Sequence, residues 1–210
     1  MLSKAIVFIG FFAVSLMAFA DQRFLVLDGA GQPVADAMIL SSEPAPAPSA
    51  QPQVMDQINK TFVPHVLAVA IGQAVEFPNS DDIRHHVYSF SEAKPFEIKL
   101  YKDRPGDPVV FDQPGVVVLG CNIHDAMVGY IVVNDTAWAQ TDASGTATLS
   151  LQANIAQVRV WHPRLSVNAD RVETVSINPA DSVQRITLNL QPPEAKATGF
   201  ANDRFKQYAR

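Results

Sequence analysis

The sequence predicts an all-β protein, and three observations lead to that prediction. Short β-favouring runs recur along most of the chain, separated by clusters of Gly, Pro, Asn and Asp. Fifteen prolines and ten glycines supply breaks between these runs. Apolar residues nowhere keep the period of an amphipathic helix over a long stretch. Strands at this spacing are typical of a β-sandwich or a barrel.

The candidate strands follow one another in three groups. The first group has two members, at residues 23–27 and 34–42. The middle group lies at residues 54–58, 66–70, 74–77, 85–90, 96–101, 109–111, 116–119 and 130–133. The last group lies at residues 146–151, 158–161, 172–177 and 186–190. Each run is rich in β-branched or aromatic residues or alternates between apolar and polar positions.

The first twenty residues have the pattern of an export signal. Lys4 gives the positive start, residues 5–17 form an uncharged apolar run, and Ala18-Phe19-Ala20 is a small-x-small cleavage site. The run is shorter than the roughly 18 residues expected of a spanning helix. We therefore expect cleavage near Ala20, a periplasmic or otherwise exported location, and no membrane span in the mature chain.

The net charge and the single cysteine limit the kinds of partner and ligand that this chain is expected to bind. The formal net charge is −5 and the chain has no basic run, which argues against nucleic acid as a partner. Cys121 is the single cysteine, whereas exported proteins normally use cysteines in disulfide pairs. An odd cysteine in such a chain is an intermolecular link, a buried inert thiol, or a thiol protected by use as a metal ligand.

The stretch that carries chemistry is residues 120–130 (GCNIHDAMVGY). Cys121, His124 and Met127 have the spacing C-x-x-H-x-x-M, which lets one short loop direct a thiolate, an imidazole and a thioether at one ion. Thiolate and thioether select copper(I), and imidazole suits both copper oxidation states. Blue-copper centres add a second histidine, which the upstream pair His85-His86 can supply. The sequence therefore predicts one mononuclear type 1 copper site.

These segments resemble the cupredoxins, most closely the amicyanin and plastocyanin group. Residues 115–121 (GVVVLGC), the ligand loop and residues 129–133 (GYIVV) follow in the family's order, and residues 75–81 (VEFPNSD) are similar to the strand and turn before the first ligand. The resemblance covers roughly residues 53–134. It implies a Greek-key β-sandwich, outer-sphere transfer of single electrons, and the ligand set His85, Cys121, His124 and Met127.

Three positions depart from the family's pattern. Ile123 stands where the family often has Pro between the cysteine and the histidine, and His86 stands where an Asn usually ties the two ligand segments together. The strand before the cysteine, residues 117–119, lacks the usual aromatic residue. We expect these departures to affect the rigidity of the loop and the reduction potential more than copper binding.

The choice between the two upstream histidines follows from strand geometry and the resemblance. Side chains at adjacent strand positions point to opposite sides of the sheet, so only one of His85 and His86 is expected to ligate. His85 matches the family's ligand position. His86 is then expected to take over the linking role and to hydrogen-bond towards Asn122.

The remaining candidate residues have structural interpretations. His65 and His162 have no soft ligand nearby in sequence, and Trp138 and Trp161 are expected to be packing residues. Around His124, an apolar ring is expected from Ile123, Ala126 and Val128. Asp125 is either solvated or adds negative charge near the copper.

Two functions from other classes remain alternatives to electron transport. A copper enzyme, such as an oxidase or a nitrite reductase, needs a second copper site with further histidines, and this chain has only five. A periplasmic copper carrier or chaperone is the other alternative, although such sites are usually Met- or Cys-rich and open to solvent. The resemblance implies redox proteins as partners, such as a c-type cytochrome or a periplasmic dehydrogenase.

The segments around the copper region resemble parts of a second sandwich. Residues 26–37 (VLDGAGQPVADA) are similar to the first hairpin of the carboxypeptidase-regulatory-like β-sandwiches, and residues 141–149 (TDASGTATL) to their later turn and strand. Residues 43–52 (EPAPAPSAQP) are expected to be an extended tether. The alternative is that residues 21–42 extend the edge of the copper domain's own sheet.

The resulting domain prediction has four parts. Residues 1–20 are the signal peptide, and residues 50–135 form the cupredoxin copper domain. The copper domain is inserted into a small discontinuous β-sandwich made of residues 21–49 and 136–192. Residues 193–210 form a polar tail.

Overall fold

The computed structural model describes residues 19–193. The predicted signal, apart from its last two residues, and the polar tail after residue 193 lie outside the described residues. All regular secondary structure in the described residues is β-strand, which confirms the all-β prediction. They are β1 Phe19–Asp28, β2 Met38–Pro44, β3 Gln53–Val54, β4 Asp56–Ile58, β5 Thr61–Val63, β6 Val66–Ala70, β7 Gln73–Glu76, β8 His85–Ser89, β9 Phe96–Tyr101, β10 Val109–Phe111, β11 Gly115–Cys121, β12 Val128–Asn134, β13 Thr136–Gln140, β14 Thr146–Gln152, β15 Gln157–Trp161, β16 Val172–Ser176 and β17 Gln184–Leu188.

The middle of the chain forms two sheets and a hairpin around one core. The larger sheet has the order β6-β12-β11-β8-β9, the smaller has the order β10-β7-β3, and β4 pairs with β5. Strand β6 runs parallel to β12, and the other neighbours in the larger sheet are antiparallel. The core contains Met55, Phe62, Val69, Val75, Phe77, Val87, Phe111, Val117, Leu119, Cys121, Met127, Ile131 and Val133.

The two flanking segments share sheets and a core of their own. Strand β1 lies between β14 and β17, and β2 lies between β13 and β15, with β16 beyond. Val26 and Val34 pack in one cluster with Leu149, Leu151 and Leu188. These two valines therefore pack with residues after 140. The division into independently folding domains stays a prediction.

A third cluster joins the two parts of the molecule. The side chains of Val118, Tyr130 and Val132 lie on the face of the larger central sheet opposite to the core that contains Cys121. They pack with Met38 and Trp161. Because side chains alternate along a strand, β11 sends Val117 and Leu119 into one core and Val118 into the other. Burial on both faces explains the apolar run in β11.

The Pro-rich segment is fastened to the central part by one side chain. Gln73 is only 3% exposed. Its Oε1 accepts a hydrogen bond from the N–H of Ser49 at 2.7 Å, and its Nε2 donates to the carbonyl of Gln51 at 3.0 Å. Because proline has no backbone N–H, this segment cannot pair regularly with a strand. The buried Gln73 amide supplies hydrogen bonds to its backbone instead.

The structure adds strands β5 and β13, which the sequence analysis did not predict, and changes the bounds of others. The second strand begins at Met38 and not at residue 34, because Asp36 adopts a left-handed conformation with φ of 62°. Strand β13 was absent from the sequence prediction, because Ala137 and Ala139, which are depleted in strands, interrupt the β-favouring residues. Pairing with β2 supplies what local preference lacks. Within residues 19–193 no helix is long and apolar enough to cross a membrane.

Candidate metal centre

Three side chains with metal-binding atoms meet at one end of the larger central sheet. His85 begins β8, Cys121 ends β11, and His124 lies in the turn that follows. The Cys121 Sγ lies 3.6 Å from the His85 Nδ1 and 3.7 Å from the His124 Nδ1. The three ligand atoms all lie within 4.8 Å of one another. Among the described residues, no other group of this kind forms.

The ligand loop makes two successive turns. The N–H of His124 donates to the Cys121 carbonyl at 3.3 Å, and the N–H of Met127 donates to the His124 carbonyl at 2.9 Å. This repeat places Cys121, His124 and Met127 one turn apart along the loop. Met127 is 1% exposed and belongs to the same core cluster as Cys121.

Burial differs among the four predicted ligands. His85, Cys121 and Met127 are buried, and His124 is half-buried. Burial, the charge of His85 and the charge of Lys60 lower the pKa of His124 below its usual value. A lowered pKa keeps this imidazole neutral near pH 7, with a lone pair available to a metal.

Asp81 orients the His85 ring. The His85 Nε2 lies 2.7 Å from the Asp81 Oδ2. Because an ionised carboxylate can only accept, the Nε2 carries the proton, and the Nδ1 lone pair is left towards Cys121. Burial opposes the charge on Asp81, but hydrogen bonds from Lys60 N–H, the His85 ring and Asn59 N–H outweigh burial and hold its pKa below the usual value.

His86 does not take the linking role that the sequence predicts for it, and that prediction is wrong. Its Nε2 lies 3.0 Å from the Glu97 Oε1, on the neighbouring strand β9. Strand alternation sends His85 to the core side and His86 to the other side of β8. Only its backbone carbonyl approaches the ligand loop, where it accepts from the Asn122 N–H at 3.4 Å.

The surface beside His124 is partly apolar. Ile123 is 50% exposed, Ala126 is also exposed, and Val128 is half-buried. Asp125, next to His124, is exposed. Burial, followed by the charges of Asp125 and Cys121, raises the pKa of Tyr88 above its usual value. Acidic Asp125 therefore acts electrostatically on the same end of the sheet.

The other two histidines lie outside the cluster. The His65 ring contacts Tyr130 edge-on, with ring centroids 5.3 Å apart. His162 is 6% exposed, and its Nδ1 accepts from the Arg164 N–H at 3.1 Å. Burial, and then the charge of Arg164, lower the pKa of His162 to about 4.

Sequence reasoning missed the support around His85. Asp81 lies in the turn four residues before His85. Asn59 and Lys60, which hold Asp81, form the turn of the β4–β5 hairpin. The only available signal was the placement of an acidic residue four positions before a candidate ligand histidine. The contribution of Asn59 and Lys60 is made by backbone N–H groups, so the side chains at these positions carry no signature of it.

The donor set and its spacing fit a first-row metal ion. Bonds of about 2.3 Å to sulfur and about 2.0–2.1 Å to nitrogen, at angles between tetrahedral and trigonal, place sulfur and nitrogen about 3.6–3.8 Å apart. The two Sγ to Nδ1 distances, 3.6 and 3.7 Å, fall in that range. One thiolate and two imidazoles, with a thioether in the adjoining loop, are the donors of a blue-copper site.

Comparisons with known proteins found similar solved structures but no matching family. No protein-family model and no curated protein matches the chain. Two solved amicyanin variants, one oxidised and one in the reduced copper(I) form, are similar at 24% and 25% identity. Each aligns over 47% of this chain and 99% of its own, with a TM-score of 0.36. The copper-containing nitrite reductase from Thermus scotoductus SA-01 is similar at 28% identity over 53% of this chain and 28% of its own, with a TM-score of 0.38.

Proposed function

We propose that this chain is an exported type 1 copper protein that carries single electrons between redox partners, with His85, Cys121, His124 and Met127 as its copper ligands. The observation that carries the proposal is the buried triangle of one sulfur and two imidazole nitrogens. Copper bound there would supply a one-electron couple between copper(I) and copper(II). The exported location rests on the signal pattern at residues 1–20.

The side chains have separate tasks in this proposal. Cys121 provides the thiolate, and burial at 3% exposure shields it from oxidation and from disulfide exchange. Asp81 holds the His85 ring in one tautomer and one orientation. A site held this way needs little rearrangement when the charge changes, which favours rapid electron transfer.

His124 is the proposed edge for electron exchange. It is the only one of the four ligands that is not fully buried. Exposed Ile123 precedes it, exposed Ala126 follows two residues later, and together they give a partner an apolar contact. Small interfaces of this kind suit the brief encounters of redox proteins. A c-type cytochrome or a periplasmic dehydrogenase is the partner that the family resemblance implies.

Burial favours electron transport over a carrier function. A copper carrier must release its ion to an acceptor, which needs ligands that the acceptor can reach. Here His85, Cys121 and Met127 are each at most 3% exposed. The proposal that the chain is not an enzyme rests on its five histidines, of which His65 and His162 pack elsewhere.

The test is the visible absorption spectrum of the mature protein titrated with copper(II). We expect one equivalent to produce an intense blue band from thiolate-to-copper charge transfer, and ascorbate to bleach it reversibly. Cys121→Ser should abolish the band while the circular dichroism of the β-fold is kept. His162→Gln, which removes a histidine outside the cluster, should keep the colour.

Two results would contradict the proposal. A wild-type protein that binds copper(II) without the intense band would exclude a thiolate ligand. Retention of the band in Cys121→Ser would exclude Cys121 as its source. Rapid loss of copper(I) to a weak chelator would favour the carrier alternative.

A further inference from the structure

The hairpin formed by β4 and β5 contacts the supports of two proposed copper ligands that lie far apart in the chain. We propose that this hairpin is a clamp that fixes the positions of His85 and Met127 and thereby lowers the reduction potential of the copper site. The inference rests on the proposed function. It assigns to the hairpin the linking role that His86 does not perform.

The first contact of the clamp is made by the hairpin's turn. Asn59 and Lys60 have φ of 53° and 59°, in the left-handed region that ordinary residues rarely adopt. Their N–H groups donate to the two carboxylate oxygens of Asp81, at 2.6 Å from Asn59 and 2.9 Å from Lys60. Asp81 in turn accepts from the His85 Nε2–H at 2.7 Å. The turn therefore orients His85 through one intervening carboxylate.

The second contact is made by the hairpin's β5 strand. Phe62 is 2% exposed and belongs to the core cluster that contains Met127. A Cβ placed on Gly129 would lie 2.7 Å from the Phe62 Cβ, closer than packed atoms allow. Glycine at this position thus lets Phe62 press against the backbone two residues after Met127.

The hairpin is itself anchored to the segment that leads into His85. Gln57 is fully buried, and its Nε2 donates to the Pro78 carbonyl at 2.9 Å. Asp56 accepts from the Ser80 hydroxyl at 2.8 Å, and the Ser80 N–H donates to the Gln57 carbonyl at 3.1 Å. These bonds fix the turn with respect to Asp81. Two successive left-handed residues are the geometry of a two-residue hairpin turn of type I′, so the conformation of the turn follows from the pairing of β4 with β5.

The clamp has an electrostatic consequence for a bound ion. A carboxylate that accepts from the far nitrogen of a ligand imidazole makes the near nitrogen a stronger donor and adds negative charge. Both effects stabilise copper(II) more than copper(I). Loosening the contact between the turn and Asp81 should therefore raise the reduction potential.

The sharpest test compares two substitutions at one position. Lys60→Gly and Lys60→Val both remove the lysine charge, but only glycine adopts the left-handed conformation without strain. We expect Lys60→Gly to keep the wild-type potential, apart from the effect of the lost charge, and Lys60→Val to show a higher potential than Lys60→Gly. Cyclic voltammetry of the copper-loaded full chain measures the difference.

A second pair of variants tests the carboxylate. In Asp81→Asn, an amide NH₂ must face one of the N–H donors that Asp81 now accepts from, so the potential should rise. Asp112→Asn is the matched control, because Asp112 is an exposed carboxylate paired with Lys94. In the copper-free protein, long-range ¹H–¹⁵N NMR should show the Nε2–H tautomer of His85 in wild type and a mixture of tautomers in Asp81→Asn.

A third pair tests the contact with the ligand loop. Phe62→Leu should change the intensity ratio of the charge-transfer bands, since the loop next to Gly129 gains room to move. Phe111→Leu is the control, because Phe111 is equally buried in the same core but packs on Phe77 and Phe96. Thermal unfolding of both variants separates lost stability from a change in the site.

The outcomes distinguish this inference from the proposed function. A wild-type protein without the blue band would overturn the proposed function and the clamp together. A blue wild-type protein in which Lys60→Val matches Lys60→Gly, and Asp81→Asn matches Asp112→Asn, would overturn the clamp alone. If Lys60→Val does not fold, the Asp81 pair decides the question, and the NMR tautomer decides it without copper.

Discussion

The indole of Trp161 lies against the ring of Tyr130 at an interplanar angle of 65°, with ring centroids 5.9 Å apart. Tyr130 belongs to β12 of the central sheet, and Trp161 ends β15 of a flanking sheet. Trp161 is 1% exposed, and its Nε1–H donates to the Ala169 carbonyl at 2.7 Å. This pair covers the face of the sheet opposite to the metal-site core.

Trp161→Ala should reduce stability without affecting the copper site. Removing a buried aromatic ring of this size typically costs about 3–5 kcal/mol. Cys121 faces the other core, so the blue band should persist in the folded variant. Urea unfolding followed by circular dichroism measures the loss, and absorption reports the site. A colourless but folded variant would contradict the separation of the two faces.

Residues 50–136 produced alone should fold and bind copper, with lower stability than the full chain. The fragment keeps all four proposed ligands and the core that contains Cys121. It loses the cover over Val118, Tyr130 and Val132, which exposes an apolar face and promotes association. Sedimentation and absorption test both expectations. A fragment that stays unfolded would argue against an inserted domain.

His85→Gly should abolish stoichiometric copper binding, and His86→Asn should retain it. His85 is fully buried beside the Cys121 sulfur, whereas the His86 side chain lies 3.0 Å from Glu97 on the other face. Copper content by atomic absorption and the visible spectrum check the pair. The reverse result would make His86 the ligand.

Met127→Leu should keep the blue colour and raise the reduction potential. The thioether is expected to be a long, weak axial donor, so its loss destabilises copper(II) more than copper(I). A tenfold change in that balance corresponds to about 59 mV for one electron, and we expect a shift of that order. Met55→Leu is the control, because Met55 is equally buried in the same core. Equal potentials in the two variants would exclude Met127 as a ligand.

Stability should fall below pH 6.5 because of His162. The folded-state pKa is about 4, below the usual 6.5, so the unfolded chain binds the proton more readily between these values. The neutral ring matches its surroundings, since the Nδ1 accepts from the Arg164 N–H. The contribution of neutral His162 to the free energy of unfolding is fully present above pH 6.5. It decreases by about 3 kcal/mol as the pH falls to about 4.

The comparison that isolates this effect uses the copper-free protein. The free energy of unfolding of wild type and His162→Gln is measured between pH 7 and 4. The stability difference between them should change across this window by about the same 3 kcal/mol. Parallel pH profiles would show that His162 does not titrate as described.

The sequence by itself indicated most of the strands and the spacing of the proposed ligands in the loop. Turn residues and alternating apolar positions are local properties, and they located the strands that became β6, β9 and β10 at their observed bounds. The spacing of Cys121, His124 and Met127 is also local, and two successive hydrogen-bonded turns join these residues. These features needed no contact with the rest of the chain.

Tertiary structure decided what supports the site and what pairs across the molecule. Asp81 reaches His85 only because the backbone of Asn59 and Lys60 holds it there, and backbone N–H groups leave no mark in side-chain identity. The His86 side chain contacts Glu97 and not Asn122. Strand alternation directs it away from the ligand loop, and β9, which carries Glu97, is the neighbouring strand. Strand β13 pairs with β2, a segment about a hundred residues earlier in the chain, although two of its residues are alanines. Such outcomes depend on long-range contacts, which no local pattern encodes.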